Sequence, residues 1–216
     1  MTAKSRGPRC ADLSLRSKNR TLAFTAALTS PIMVLAQESP LLQVQQHLRA
    51  VDTMTAQFTQ TDRNGGALTG ELTLKRPGKA RFQYRKGVPR LVVVDGGSLI
   101  FIDYRVRQVS RLPIGSSPLS ALLNPTSDLA RIAKLSPQST SDAIVIEARD
   151  PQHPESGTYT FSFARMSSAP AGLMLQGWTV LDPQGNRTTV RLTGQRLNVP
   201  VSDKIFRWVD PRQRSR

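Results

Sequence analysis

The alternation of apolar and polar positions predicts a protein built mainly from β-strands. In residues 70–77, Leu72 and Leu74 alternate with polar side chains, which is the two-residue period of a strand with one buried face. Pro77 ends this segment because it has no N–H to donate to a neighbouring strand. The same period returns in segments marked by Phe82 and Tyr84, and by Tyr159, Phe161 and Phe163. Such a sheet has one apolar and one polar face. The function therefore depends on what packs against the apolar face.

The rest of the pattern predicts one helix, a run of strands, two short helices and more strands. Ser39 and Pro40 suit a helix start, and apolar side chains follow at helical spacing as far as Val51. Two short leucine-rich helices are predicted at residues 117–125 and 127–135. Further strands are predicted at residues 57–61, 91–94, 98–102, 108–112, 143–148, 157–164, 173–181, 187–192 and 206–208.

Turn sequences between these strands favour antiparallel pairing. Residues 63–66 (Arg-Asn-Gly-Gly) and 182–186 (Asp-Pro-Gln-Gly-Asn) are typical of hairpin loops, and residues 95–97 (Asp-Gly-Gly) of a tight turn. With so many successive hairpins, a single strongly curved antiparallel sheet is favoured over a parallel α/β fold. The predicted class is therefore mainly β, of the α+β type, with the two short helices as a lid on the concave side.

The first 36 residues have the pattern of a cleaved secretory signal peptide. Six basic residues precede a mostly apolar run that ends in the small residue Ala36. A retained membrane anchor is the alternative, but the run contains Pro31 and falls short of the about 20 apolar residues that span a bilayer. We therefore expect a signal peptide at residues 1–36 and one mature domain at residues 37–216. The single cysteine, Cys10, lies in the leader, so no disulfide is expected.

The predicted mature chain is strongly basic. Removing the six basic residues and one acid of the leader from the totals of 30 and 15 leaves a net charge of +10. Such a surface suits acidic lipid headgroups, an acidic partner or simply solvent. Nucleic-acid binding is not expected, because the basic residues are scattered and there is no RNP-like aromatic motif or metal-finger spacing.

Little in the sequence supports catalysis. There are two histidines, His47 on the first predicted helix and His153 in a proline-rich loop, and no Gly-x-Ser-x-Gly elbow of the kind a hydrolytic triad uses. Clustered metal ligands and phosphate-cradling loops are also missing from the sequence. We therefore expect a binding protein that is not an enzyme and uses no cofactor or metal ion.

Six short segments of the mature chain occur in one characteristic order. One is residues 75–84 (Lys-Arg-Pro-Gly-Lys-Ala-Arg-Phe-Gln-Tyr). The others are Phe58-Thr59-Gln60, Val94-Asp95-Gly96, Ser117-Pro118-Leu119 with Leu122-Leu123, residues 182–186, and Asp203 with Phe206 before Asp210-Pro211. Together they resemble the outer-membrane lipoprotein carrier family, LolA. The resemblance covers nearly all of the predicted mature chain.

The resemblance implies both a fold and a task. Members of that family have an unclosed β-barrel, a half-wrapped antiparallel sheet whose hydrophobic concavity is lidded by helices. The implied task is that of a chaperone in the periplasm of a Gram-negative cell. It would take lipoproteins from an inner-membrane ABC transporter (LolCDE-like), shield their acyl chains and deliver them to an outer-membrane receptor (LolB-like), if one is present. We expect such a carrier to act as a monomer.

The resemblance also gives one residue a role. Arg76 matches the arginine that, in the family, hydrogen-bonds backbone groups of the lid and holds it closed when empty. Its guanidinium offers five donors for that purpose. For the acyl-chain cavity, we predict a lining from the apolar positions, and ordinary core is the alternative interpretation for each. The predicted lining is Leu72, Leu74, Phe82, Leu119, Leu122, Leu123, Tyr159, Phe161 and Phe163.

Two other interpretations stay open at the level of sequence. A lipoprotein receptor or an envelope-stress sensor could have the same lidded sheet, although no cysteine follows the apolar run to carry a lipid anchor. An unrelated basic hydrolase is disfavoured by the missing motifs. The chain also departs from the family pattern. Ala80 replaces a bulkier residue, and only five residues follow Pro211, which leaves open how the donor is engaged.

Overall fold

The computed structural model describes residues 39–115 and 117–212, and the predicted signal peptide lies outside these residues. The two α-helices are α1 (Pro40–Ala50) and α2 (Pro118–Leu123). The strands are β1 (Thr53–Thr61), β2 (Ala67–Lys75), β3 (Lys79–Tyr84), β4 (Arg90–Asp95), β5 (Ser98–Asp103), β6 (Gln108–Pro113), β7 (Ala133–Leu135), β8 (Ala143–Ala148), β9 (Thr158–Arg165), β10 (Leu173–Leu181) and β11 (Arg187–Leu197). Among the described residues, no helix is both long and apolar enough to cross a membrane.

All eleven strands form one antiparallel sheet in the order β6-β5-β4-β3-β2-β1-β11-β10-β9-β8-β7. Strands β6 and β7 are the two edges, so the sheet does not close into a barrel. The pair β1–β11 joins the two halves of the chain, with Met54 opposite Leu197 and Thr61 opposite Thr189. The structure therefore confirms the predicted single antiparallel, unclosed sheet.

A contact between distant strands shows how strongly the sheet curves. The ring centroids of Phe82 on β3 and Trp178 on β10 are 6.0 Å apart. These two strands are four positions apart in the sheet, which would separate them by about 19 Å in a flat sheet at about 4.8 Å per strand. The side chains meet because the sheet wraps around its inner face. The prediction of a strongly curved sheet is confirmed.

Both helices cover the inner face of the curved sheet. Helix α1 contributes Val44 and Leu48 to the main apolar core, and α2 contributes Leu119, Leu122 and Leu123. The apolar positions of α1 recur every three or four residues, so one side of the helix is buried against the strands. Each helix begins with a proline, which is well suited to the first turn because its missing N–H has no partner there.

The outer face of the sheet carries a second, smaller apolar core. It consists of Leu91 and Val93 on β4 and Ile100 and Ile102 on β5, none of which is more than 2% exposed. Trp208 packs against them from the C-terminal strap, the name used here for residues 199–209. The sequence did not predict this core, because the alternation of β4 and β5 is lost when both faces of a strand are apolar.

Polar contacts hold the C-terminal strap against β2 and β3. The carboxylate of Asp203 lies 3.2 Å from the ammonium group of Lys75. The guanidinium of Arg81 donates to two backbone carbonyls of the strap, those of Ile205 at 3.1 Å and Arg207 at 3.0 Å. Basic side chains on the outer face of β2 and β3 therefore position the strap that covers the second core.

The prediction of a second lid helix, at residues 127–135, is wrong. Residues 127–135 form a single 3₁₀ turn (Leu129–Arg131) followed by the edge strand β7, which pairs with β8. The carboxylate of Asp128 accepts a hydrogen bond from the N–H of Ala130, which favours the start of a turn at that point. From Ala133 onward the backbone pairs with β8, so these residues cannot form a second helical turn.

The predicted strand at residues 206–208 is also wrong. These residues belong to the C-terminal strap, in which a 3₁₀ turn (Asp203–Phe206) precedes Trp208. Phe206 and Trp208 are apolar residues at a spacing of two, which a strand and an irregular strap share. The strap crosses the outer face of the sheet and is not paired into it.

Candidate functional site

The inner face of the sheet forms an apolar floor beneath α2. The floor and α2 enclose a space of about 10 Å³, at most the size of one water molecule. Eleven hydrophobic side chains from five strands and α2 surround it. They are Met54, Leu72, Leu74, Ala80, Phe82, Val94, Leu119, Leu122, Leu123, Leu175 and Trp178. The eight that belong to strands are called the floor below.

Six of the nine predicted lining residues meet at this space. They are Leu72, Leu74, Phe82, Leu119, Leu122 and Leu123. The other three, Tyr159, Phe161 and Phe163 on β9, lie in the same apolar core without bordering the space. Phe163 packs against α1 instead, with its ring centroid 5.6 Å from that of His47. The sequence pattern marked all nine as buried apolar positions, but it could not say which face of a strand is concave or separate the floor from ordinary core.

Helix α2 is the part of the cover that contacts the floor directly. It has six residues, and the extended backbones of Ser117 and Asn124 delimit it. A helix of this length is not stable by itself in water. Its position therefore depends on apolar packing and on hydrogen bonds from other segments. One of these runs from the N–H of Gly78, in the β2–β3 turn, to the carbonyl of Leu123 at 3.0 Å.

Arg76 is the polar centre of this cover. Its side chain is buried, with Nε donating to the carbonyl of Leu122 at 3.0 Å and Nη1 donating to the carbonyl of Val51 after α1. Burial lowers the pKa of Arg76 to about 10, and the charge of Asp52 opposes this shift. The guanidinium is therefore still a cation at neutral pH. The buried guanidinium of Arg76 therefore links three segments, which are the end of α1, the β2–β3 turn and α2.

A buried glutamine holds the segment that follows α2. The Nε2 of Gln45 on α1 donates to the carbonyl of Pro125 at 3.0 Å, and its Oε1 accepts from the N–H of Leu129 at 3.1 Å. Sequence reasoning missed this residue, because its partners lie 80 and 84 positions away and no local pattern marks it. Arg76 and Gln45 together hold residues 118–129, which we call the lid segment.

His47 is a structural neighbour of this site. Its Nδ1 donates to the carbonyl of Pro170 at 2.9 Å. Burial lowers the pKa of His47, the hydrogen bond to Pro170 opposes that shift, and the charge of Arg76 adds to the lowering. The imidazole is thus neutral at neutral pH. Within residues 39–115 and 117–212, no three His, Cys, Asp or Glu side chains are grouped as a metal site requires.

A protein-family model matches most of the residues of this fold, including the floor and Arg76. The family model described as outer membrane lipoprotein carrier protein LolA matches residues 49–209. This chain belongs to the LolA family. The matched residues run from the end of α1 to the C-terminal strap, so they include the lid segment as well as the sheet. The resemblance noted in the sequence is confirmed.

Relatives in the LolA family align along most of the chain. The outer-membrane lipoprotein carrier protein of Chromobacterium violaceum is 31% identical over 197 residues, which cover 88% of this chain and 91% of the relative. That of Dechloromonas aromatica is 27% identical over 197 residues, covering 87% and 92%. Among solved structures, a LolA superfamily protein from Nitrosomonas europaea matches with a TM-score of 0.44 and 12% identity, over 78% of this chain and 96% of the other.

Proposed function

We propose that this LolA-family protein is a periplasmic chaperone that encloses the acyl chains of lipoproteins and carries them to the outer membrane. The observation that carries the proposal is a wholly hydrophobic floor under a six-residue helix that a buried arginine holds in place. The names of the relatives, which describe outer-membrane lipoprotein carriers, support the same role. The predicted signal peptide supports a periplasmic location.

Loading requires the lid segment to move. A space of about 10 Å³ holds no acyl chain, so cargo has to replace side chains that now occupy the floor. The side chains in the way are Leu119, Leu122 and Leu123 of α2. When α2 lifts, the acyl chain takes over their apolar contacts, while the backbone groups bonded to Arg76 and Gln45 gain water as a partner. The exchange then leaves no apolar surface of the floor exposed.

The strength of acyl-chain binding sets a limit on this mechanism. Full burial of one acyl chain of about 16 carbons contributes about 12 kcal/mol, at about 0.8 kcal/mol per CH₂. Three such chains would exceed the ceiling of about 18–21 kcal/mol for non-covalent complexes, and cargo would never leave. Lid closure resolves this problem, because the leucines of α2 return to the floor as the chains depart. We therefore propose that the closed state competes with cargo and makes release possible.

The proposed cycle needs a donor and an acceptor. For the donor we propose a LolCDE-like ABC transporter of the inner membrane, which extracts the lipoprotein from the bilayer. For the acceptor we propose a LolB-like receptor, where the cell has one. Both follow from membership of the LolA family and from the need to hand acyl chains over without exposing them to water.

A loading experiment tests the proposal. The exported protein is incubated with energised inner-membrane vesicles that contain a triacylated lipoprotein, and the supernatant is analysed by size exclusion. We expect a soluble complex with one carrier per lipoprotein. Phe82→Asp should abolish this complex, because it places a carboxylate in the apolar floor, where an unpaired charge is costly.

Gln83→Asp is the matched control. Gln83 is the next residue of the same strand, is exposed, and points to the outer face, so its carboxylate stays in solvent. This variant should load like the parent protein. The proposal fails if the parent leaves the lipoprotein in the vesicles, or if Phe82→Asp loads as well as Gln83→Asp.

A further inference from the structure

Two neighbouring hairpin turns form an exposed tip at one end of the sheet. They are the β3–β4 turn (residues 85–89) and the β5–β6 turn (residues 104–107), together called the basic tip. The N–H of Tyr104 donates to the carbonyl of Pro89 at 2.8 Å, which joins the two turns directly. The tip lies at the opposite end of β3 from Arg76, about 20 Å along the strand.

The basic tip carries four exposed cations. Arg85 and Lys86 belong to the first turn, and Arg105 and Arg107 to the second. No carboxylate of residues 39–115 or 117–212 forms an ion pair with any of these four side chains. The basic tip therefore concentrates positive charge of the protein at one place, where an anionic surface can contact it.

Apolar surface is interleaved with these charges. Val106 is 57% exposed and stands between Arg105 and Arg107, and Tyr104 is 38% exposed beside them. An aliphatic and an aromatic side chain among cations match the boundary of a bilayer, where headgroup phosphates meet acyl chains. An acidic protein or a nucleic acid would pair with the charges, but a bilayer presents anionic phosphates directly beside a continuous apolar layer that Val106 can enter.

Hydrogen bonds and an ion pair stabilise the β5–β6 turn. The buried carboxylate of Asp103 accepts hydrogen bonds from the N–H groups of Arg105 at 3.0 Å and Val106 at 3.4 Å. The same carboxylate lies 3.4 Å from the guanidinium of Arg90, which fixes it in place. Because these contacts pre-organise the turn, docking on a surface costs less conformational entropy there.

We propose that the basic tip docks the protein on a membrane surface that contains anionic phospholipid. The phosphate groups contact Arg85, Lys86, Arg105 and Arg107, and Val106 enters the boundary between headgroups and acyl chains. Because the tip and the lid segment lie at opposite ends of β3, the lid can open while the tip is bound. The proposal does not depend on acyl-chain loading, since the tip shares no side chain with the floor.

Vesicle binding by the empty protein tests this proposal. Partition is measured by co-sedimentation with vesicles of phosphatidylethanolamine alone and with phosphatidylglycerol added. The parent protein should bind the anionic vesicles only, and added salt should weaken binding. Arg105→Gln with Arg107→Gln should lower the partition coefficient about 30-fold, which corresponds to about 1 kcal/mol for each cation at an anionic surface.

The matched control removes the same charge elsewhere. Arg191→Gln with Arg196→Gln changes two exposed arginines of β11, and its partition should stay within about 3-fold of the parent. Val106→Ser, with all cations kept, should reduce the binding that remains at high salt. Equal losses in both arginine pairs would overturn the proposal, since binding would follow net charge alone. Failure of the parent to bind anionic vesicles would also overturn it and would favour an acidic protein as partner.

Discussion

Arg76→Leu should raise the affinity for a triacylated lipopeptide about 100-fold and slow its release by a similar factor. In the closed state, the guanidinium donates to the carbonyls of Leu122 and Val51. Hydrogen bonds from a charged donor contribute about 1.5 kcal/mol each, so the substitution removes about 3 kcal/mol from the closed state. Because closure competes with cargo, the apparent affinity rises by the same free energy. The measurement is transfer of a labelled lipopeptide from the carrier to acceptor vesicles.

Arg81→Leu is the control for this prediction. Arg81 also donates to two backbone carbonyls, but these belong to Ile205 and Arg207 of the C-terminal strap and not to the lid segment. Its removal should leave lipopeptide release unchanged. Circular dichroism establishes that both variants are folded. Release from Arg76→Leu at the parent rate would show that the guanidinium does not control the lid.

Trp208→Ala should lower the free energy of unfolding by about 3 kcal/mol and the melting temperature by about 8 °C. Trp208 covers a core on the outer face whose members Leu91, Val93, Ile100 and Ile102 are almost completely buried. Truncation to alanine removes apolar contacts and leaves a cavity or exposed surface beside them. For a domain of this size, each 1 kcal/mol corresponds to about 2–4 °C. Thermal and urea unfolding measure the effect.

Val209→Ala is the matched control within the same strap. Val209 is the next residue and is 75% exposed, so its truncation should change the free energy of unfolding by less than about 0.5 kcal/mol. Acyl-chain binding by Trp208→Ala should remain intact, since the strap lies on the face opposite the floor. Equal stability of Trp208→Ala and Val209→Ala would mean that the strap does not cover the outer core.

The strands were predictable because each inner position is apolar and each outer position is polar over most of the sheet. Leu72 and Leu74 on β2 reveal their face directly, and the Gly-rich turns reveal the antiparallel order. The prediction failed where the alternation of apolar and polar residues is ambiguous. Leu129 and Ile132 have helical spacing, yet strand pairing of β7 with β8 prevails after one turn. Local pattern cannot anticipate a pairing partner more than ten residues away.

The site was less accessible to sequence reasoning than the fold. Alternation marked Phe82 and Phe161 each as apolar positions of their own strands, but only the curvature of the sheet decides that Phe82 borders the space under α2. The contacts of Arg76 with the lid could be expected only from the family resemblance. The contacts of Gln45 and His47 could not be predicted from the sequence. Polar residues on a helix are usually solvent-exposed, and only the folded chain brings their distant partners next to them.

The most direct test of acyl-chain binding on the floor uses the two tryptophans of the chain. Trp178 borders the space beneath α2, whereas Trp208 lies on the outer face. Trp208→Phe leaves Trp178 as the only tryptophan, and Trp178→Phe leaves Trp208. Each variant is titrated with a triacylated lipopeptide whose acyl chains carry bromine, a short-range quencher of tryptophan fluorescence. We expect saturable quenching of Trp178 at one lipopeptide per protein and none of Trp208. Equal quenching of both tryptophans, or of neither, would contradict acyl-chain binding beneath the lid.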